Sequence, residues 1–441
     1  MEVSLQDILN AREARVQKQK ELLKKFQKPL LCFTMNIPGP EKYNSDISVG
    51  FQVGHRLIAD TFGARILYKE LCRENTGCEG YYIIDLPAAE IKQQAVELEE
   101  APCIGRLFDM DVLDMGGKKL SREVPRKCLL CDNDAAVCAR SRAHGLDALL
   151  DRTGFLLFLA GQQYLAEYIA AQAFLALNQE LATTPKPGLV DRNNRGAHKD
   201  MDFRHFFASA TALRPFFCRF AQQGLLTRGK APQETFNRIR PIGVEAEHAM
   251  FAATGGVNTH KGALFSLGLL CAAAGRLAPE NWTPEQLTAE VATMTKGLTQ
   301  TELGGVTPET AKTAGERIYA QYGIAGIRGE AELGFPSVTK VGIPTLLEGL
   351  KNGLSLNDAG SRALLYLIAE VDDTNLIHRS DRDTQLWVKE IVAKTLQNEP
   401  YPLKETIKKL DKQLIEKNLS PGGCADLLAV CYYLLFLTRE N

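Results

Sequence analysis

Apolar positions along the first 150 residues follow two different periods. Leu5, Ile8, Leu9, Val16, Leu22, Leu23 and Phe26 recur at helical spacing, with Arg12 in the same stripe, and predict one amphipathic helix over about 5–26. Short runs rich in β-branched and aromatic residues follow: LLCFTMNI, RILYKE, YYIIDLP and RLFDMDVLD. Turn-forming clusters such as PGPEKYNSD and ENTGCEG separate them, so they read as strands. The helix-like pieces SVGFQVGHRLIADTF and AAEIKQQAVELEE lie between the strands. Strands and helices interleaved in this way predict an α+β domain with a mixed sheet and covering helices.

The texture changes between residues 145 and 160. Beyond it nearly every periodic segment is helical and long, as in QYLAEYIAAQAFLALNQEL, DFRHFFASATALRPFFCRFAQQG, HKGALFSLGLLCAAAGRLA and CADLLAVCYYLLFLTREN. No strand alternation and no fixed repeat period interrupts the series. The expected organisation is therefore an N-terminal α+β domain over 1–158 and a C-terminal all-α helical bundle over 159–441. Loops between bundle helices need few special residues. Here they carry dense charge and glycine, which predicts helix ends converging on one polar site.

Length and charge narrow the classes. At 441 residues the chain exceeds one core. A net charge of −1 gives no global reason to expect nucleic acid or an acidic membrane surface. Eleven cysteines, odd in number and scattered through helix-like segments, point to reduced thiols. No apolar signal core opens the sequence, and no stretch reaches the ~20 apolar residues of a bilayer span. A soluble, cytoplasmic protein is expected.

Two clusters in the first domain carry candidate chemistry. In RLFDMDVLD, Asp109 and Asp111 stand two apart on a strand, which aims both carboxylates at one face. Ionised neighbours repel unless a cation lies between them, so the pair reads either as an Mg²⁺ site or as a solvated strand edge. Cys128, Cys131, Cys138 and His144 have a ligand set suited to tetrahedral zinc, with a short second spacing; reduced thiols beside a basic loop are the other reading. GGKKLS at 116–121 lacks the spacing of a phosphate-binding loop and is set aside.

The second domain repeats one theme at its helix junctions. TPKPGLVD presents Lys186 on a proline-stiffened corner, and GAHKDMDF places His198 and Asp200 ahead of a helix that Asp202 can cap. GGVNTHKG brings Asn258, His260 and Lys261 to a helix N-terminus, where backbone N–H groups attract anions. RGEAELGFPS supplies Arg328 and Glu330; DDTNLIHR supplies Asp372, Asp373, Asn375 and Arg379; SPGG opens the last helix with Gly422 and Gly423. Amide donors, cations and carboxylates in this number fit a triphosphate pocket with Mg²⁺ and a general base. An all-α nucleotide or ADP-ribose hydrolase fused to a non-catalytic carrier-binding domain would use the same groups.

These segments carry a family resemblance. TPKPGLVDRNNRGAHKDMD, GGVNTHKGALF, RGEAELGFPSV, DDTNLIHR and SPGGCADLLA, in this order from Leu181 onward, resemble the triphosphoribosyl-dephospho-CoA synthase family, CitG. AREARVQKQ, MNIPGPEK, GRLFDMDVLD, RKCLLC and VCARSRAH, over about Leu5 to His144, resemble the apo-citrate lyase phosphoribosyl-dephospho-CoA transferase family, CitX. The chain thus resembles a fusion of the two; malonate decarboxylases use a related pair. The resemblance implies that ATP donates its ribosyl triphosphate to the 2′-hydroxyl of 3′-dephospho-CoA, releasing adenine. It further implies transfer of the phosphoribosyl-dephospho-CoA group to a serine of the apo acyl carrier subunit of citrate lyase, releasing pyrophosphate. It implies Lys186, Lys261 and Arg328 on phosphates, with Asn258, Asn375, Arg379, Gly422 and Gly423 around the nucleotide. It places Mg²⁺ at Asp372 and Asp373 and at Asp109 and Asp111, makes Glu330 or Asp200 the base, and makes His198 and His260 donors or positioners. The aspartate pair is also similar to nucleotidyltransferases, although the glycine-serine element expected shortly before it is missing. The basic face of the first helix (Arg12, Arg15, Lys18, Lys20, Lys24 and Lys25) reads either as a dock for an acidic carrier protein or as a plain solvated helix face.

Overall fold

A computed structural model describes residues 3–102, 104–401 and 403–438. The chain divides into two compact units, one running to Leu165 with Ala278–Glu280 and the other formed by Ala166–Leu277 and the residues from Asn281 onward. Among the described residues no helix is long and apolar enough to cross a membrane.

The first unit contains α1 (Leu5–Phe26), β1 (Leu30–Met35), α2 (Ser45–Phe62), β2 (Ile66–Glu74), β3 (Gly77–Ile84), α3 (Ala88–Glu99), β4 (Phe108–Leu113), α4 (Ala135–Ser141) and α5 (Leu146–Ala160). Helix α1 begins where expected because Ser4 and Asp7 form a reciprocal capping box. The sheet has the order β2-β3-β1-β4. Every pair in it is antiparallel, so the expected mixed sheet is corrected. The reason is topological. Helix α2 does return the chain so that β2 runs in the direction of β1, but the β2–β3 hairpin inserts β3 between them. The succession from β1 to β4 is a split β-α-β arrangement.

Residue parity then assigns the two faces of this sheet. Leu31, Phe33, Tyr82, Phe108, Met110 and Val112 are fully buried. Phe33 stacks on Phe51 of α2 with ring centres 5.0 Å apart and meets Phe108 edge-on. On the other face Leu30, Cys32, Tyr81, Ile83 and Leu113 pack against Leu22 and Leu23 of α1. Of the expected α1 stripe only that last turn is buried; Leu5, Leu9 and Val16 are exposed. Arg15 and Lys18 instead tie the helix to the sheet through Glu79 (2.6 Å) and Glu70 (2.7 Å).

The second unit is helical throughout its described residues: α6 (Ala166–Ala182), α7 (Phe203–Leu226), α8 (Pro232–Ala253), α9 (Lys261–Arg276), α10 (Pro284–Met294), α11 (Leu298–Leu303), α12 (Ala314–Tyr322), α13 (Gly326–Glu332), α14 (Ile343–Lys351), α15 (Leu356–Glu370), α16 (Thr374–Arg379), α17 (Arg382–Asn398), α18 (Lys404–Glu416) and α19 (Gly422–Thr438). Helices α9 and α19 are apolar on nearly every side and buried on nearly every side. Helix α7 crosses α9 at glycines: a Cβ on Gly224 would lie 2.1 Å from the Ala272 carbonyl oxygen. That close approach fixes α9, and its N-terminus opens a cavity.

Candidate functional site

The cavity lies within the second unit and has a volume of about 1310 Å³. The N-termini of α9, α16 and α19 all reach its wall through Lys261 and Gly262, Thr374 and Asn375, and Gly422 and Gly423. Three helix dipoles therefore turn their positive ends toward one space, which attracts anions, although Asp373 already takes the amides of Asn375, Leu376 and Cys424. All fourteen second-domain residues singled out from the sequence line it: Lys186, His198, Asp200, Asn258, His260, Lys261, Arg328, Glu330, Asp372, Asp373, Asn375, Arg379, Gly422 and Gly423.

Their surroundings differ. The segment before α7 is held by Asp191, which accepts from the amides of Lys186 (3.3 Å), Asn193 (2.7 Å) and Asn194 (3.1 Å). Asp411 of α18 grips the same segment through the Gly188 amide (2.9 Å) and Asn194 Nδ2 (2.9 Å). The stiff corner expected at Lys186 is thus present, but the ammonium is buried and bound to the Glu180 carboxylate and to the Glu180 carbonyl at 2.9 Å. Lys261 is half in solvent and pairs with Glu247 at 2.5 Å. Arg328 and Arg240 converge on Glu302, at 2.6 and 2.9 Å.

The carboxylates fall into two kinds. Asp373 is structural in its bonding: one oxygen caps α16 through the amides of Asn375 and Leu376, and the other accepts from the Cys424 amide at 2.9 Å. Asp372 bridges Arg382 and Lys389, both at 3.0 Å; those hydrogen bonds outweigh its burial and hold it below the ordinary carboxylate range. Glu330 is pushed up by burial, against the hydrogen bonds from Ser337, whose hydroxyl lies at 2.5 Å. Asp200 is exposed.

His198 donates or accepts at Ser420 (2.9 Å) through Nε2 and meets Arg379 (3.0 Å) through Nδ1. Burial and then the Arg379 charge bring it down to about 4. His260 is lowered to about 3 by burial and by Lys186, so both rings are neutral near pH 7. Nδ1 of His260 meets the Ser209 hydroxyl at 2.8 Å, whereas its Nε2 and the Thr259 hydroxyl are buried without a hydrogen-bond partner. Both residues line the cavity. Buried polar atoms left unpaired are costly, and a ligand in the cavity is what would satisfy them.

The sequence reading missed Glu180, Arg240, Glu302 and Asp426. Asp426 lines the cavity and is raised well above the ordinary range by burial and by the charges of Glu180 and Asp373. A Cβ on Gly262 would sit 2.1 Å from its Oδ2, so that glycine makes room for the carboxylate. The available signal was the lone acid of the otherwise apolar α19; Glu180 shares α6 with Glu167 and gave no such signal.

In the first unit Asp109 and Asp111 share the sheet face that α1 covers at its far end, opposite Thr34 and Cys32. Lys119 pairs with Asp111 at 2.6 Å; Arg126 lies 3.6 Å from Asp109 and 2.5 Å from the buried Glu99. Cys128, Cys131, Cys138 and His144 have come together, their ligand atoms all within 4.8 Å of one another. Burial alone would raise the Cys128 thiol, but amide donors from Leu130 and Cys131 and the neighbouring thiols bring it down to about 7.

Comparison with known proteins gives these two sites a common setting. Residues 3–157 match the CitX family, apo-citrate lyase phosphoribosyl-dephospho-CoA transferase, and residues 166–441 match the CitG family, ATP:dephospho-CoA triphosphoribosyl transferase. The chain is therefore a bifunctional transferase. It is 36% identical over 453 residues to Protein CitXG of Haemophilus influenzae, an alignment covering 98% of this chain and 96% of the relative. Protein CitXG of Leuconostoc mesenteroides is 33% identical over 98% of this chain and 97% of its own length. The 2-(5''-triphosphoribosyl)-3'-dephosphocoenzyme-A synthase of Haemophilus ducreyi is 39% identical over 70% of this chain and 99% of its own length. The chain belongs to the CitXG family, in which the two transferases share one polypeptide.

Proposed function

We propose a division of labour in which the second unit builds the citrate lyase prosthetic group in its large cavity and the first unit attaches it at Asp109 and Asp111. The overall activity is that of the family: synthesis of triphosphoribosyl-dephospho-CoA from ATP and dephospho-CoA, then transfer to apo-citrate lyase. The observation that supports the second-unit reading is one cavity bordered by three helix N-termini, by Lys261, Arg240 and Arg328, and by several carboxylates. The amides and cations hold the triphosphate. Lys186 contributes its charge from behind Glu180 rather than by direct contact.

Glu330 takes the proton from the 2′-hydroxyl of dephospho-CoA as that oxygen attacks C1 of the ATP ribose. Of the two candidate bases it is the one that burial raises toward neutral pH, whereas Asp200 lies in solvent. Adenine leaves as the new C–O bond forms. His260 Nε2 and Thr259 meet the departing base or the sugar, since both need a partner. Asp426, kept protonated, donates toward the leaving adenine. Neither acid of the Asp372–Asp373 pair fits the Mg²⁺ expected there: both oxygens of Asp373 are committed to amides, and Asp372 is already bound by Arg382 and Lys389. An α-linked product from the β-configured ribose of ATP would require inversion at C1, and hence most simply a single direct displacement.

In the first unit a carrier serine oxygen attacks the α-phosphorus and pyrophosphate departs, in nucleotidyl-type transfer. Asp109 and Asp111 fit an Mg²⁺ that would neutralise charge on the phosphates, while Arg126 and Lys119 supply positive charge beside them. The acyl carrier subunit docks along α1, whose Leu5, Leu9 and Val16 are exposed beside its basic residues. Incubation with ATP, with and without dephospho-CoA, tests the scheme. Free adenine should appear only with the acceptor, and the apo carrier should gain the mass of the whole prosthetic arm. Adenine or ADP-ribose products formed without acceptor would support a hydrolase instead.

A further inference from the structure

The segment after β4 is held by almost no core. Between Asp114 and Arg152 the one buried residue is Cys138. A stretch of this length that buries so little apolar surface needs another source of order, and small folded pieces of this kind use disulfides or metals. What this segment does have is a knot of polar-soft side chains. Cys131 Sγ lies 3.5 Å from Cys138 Sγ and 3.4 Å from His144 Nε2, with Cys128 in the same group. Tetrahedral zinc with Zn–S of about 2.3 Å and Zn–N of about 2.0 Å spaces its ligand atoms by roughly 3.5–3.8 Å, so the cluster is already near that size.

The backbone is arranged around the sulfurs. The amides of Leu130 and Cys131 point at Cys128 Sγ, and the Cys128 amide closes the CLLCDN turn on the Asn133 carbonyl at 2.7 Å. An isolated bridge between Lys127 and Asp134 zips the base of that turn. Arg142 ends α4 in the left-handed region at φ +48°, and this reversal brings His144 back over Cys131. Two ligands thus come from a tight turn, one from a helix and one from two residues past its cap. Three thiols and an imidazole suit zinc rather than a hard cation.

The cluster is joined to the transfer site. Arg106 donates to the carbonyls of Lys127 and Cys128, the latter at 2.8 Å, and Arg126 reaches Glu99 and Asp109 from the residue two before the first cysteine. We propose that Cys128, Cys131, Cys138 and His144 bind one zinc ion, and that this ion stands in for the missing core of the segment and holds Arg126 beside Asp109. The second half of this proposal rests on the reading of Asp109 and Asp111 as the carrier-transfer site; the first does not.

Full-length protein purified under reducing conditions should contain one zinc per chain, and cobalt(II) in its place should give the absorption of thiolate-to-metal charge transfer. Cys131→Ser and His144→Ala should lose the metal. The metal-depleted protein should lose carrier loading, keep acceptor-dependent adenine release, and regain loading on adding zinc. Zinc-free protein with no cobalt–thiolate absorption, or a Cys131–Cys138 disulfide in its place, would overturn the site. Normal loading by metal-free protein, or loss of adenine release together with loading, would overturn the positioning role. Normal loading by Asp109→Asn with zinc retained would sink the transfer-site reading and leave the zinc site standing.

Discussion

At the scale of single residues, the cavity works through groups whose protonation differs from that in water. Glu330 is held above the ordinary glutamate value by burial, so it becomes a competent base only once pH exceeds that raised value. The acid limb of kcat/KM for adenine release should therefore lie above the normal glutamate range. Glu330→Gln should remove that limb and lower kcat by about 10²–10⁴-fold while ATP still binds. The buried histidines give a stability prediction of definite sign. His198 and His260 titrate near 4 and 3 when folded and near 6.5 when unfolded. Below pH 6.5 the unfolded chain binds more protons, so stability falls as pH drops toward 4. Glu330 and Asp426, raised in the fold, act in the opposite direction. Both tryptophans, Trp282 and Trp387, belong to the second unit, so their fluorescence follows its unfolding alone. The urea midpoint should be lower at pH 5 than at pH 7, and His260→Gln should shrink that difference.

At the scale of elements, the meeting of helix N-termini is what turns scattered loops into a site, and Gly262 is where it is most exposed to disturbance. Alanine there would favour α9 by about 1 kcal/mol on helix propensity. Its Cβ, however, would press on the Asp426 carboxylate at 2.1 Å. Gly262→Ala should keep the fold by circular dichroism and lose at least about tenfold in adenine release if that carboxylate acts on the leaving base. The elements themselves were largely legible. Helical and two-residue periods located α1 and the four strands, and charged, glycine-bearing junctions pointed to the residues that line the cavity. Strand order was not legible, because the insertion of β3 between β1 and β2 depends on pairing between distant segments. Glu180 and Asp426 were hidden for a related reason: each is an acid in a largely apolar helix, and only packing shows that α6 and α19 bring them together. Lys186 and Asp373 read as ligands of phosphate and metal, while the structure gives them partners inside the protein. A residue's type and neighbours in sequence do not reveal which partner reaches it first.

At the scale of the whole molecule, one polypeptide carries two chemistries that need different devices. Ribosyl transfer needs an enclosed cavity with proton donors and acceptors around C1 and adenine, which a bundle of buried helices provides. Transfer to a carrier protein needs an open surface that a second macromolecule can approach, and Asp109 and Asp111 lie on a partly covered sheet face. Each unit has its own core, so a change confined to one site need not alter the other. Asp109→Asn keeps the shape of the side chain and removes its charge. The variant should release adenine from ATP and dephospho-CoA at the normal rate, accumulate triphosphoribosyl-dephospho-CoA, and load the apo carrier at least about 10²-fold more slowly. Chromatography of the nucleotides and mass spectrometry of the carrier from one reaction would measure both steps. Equal slowing of adenine release and carrier loading would mean that the first unit acts on synthesis as well, and the assignment of one reaction to each unit would fall.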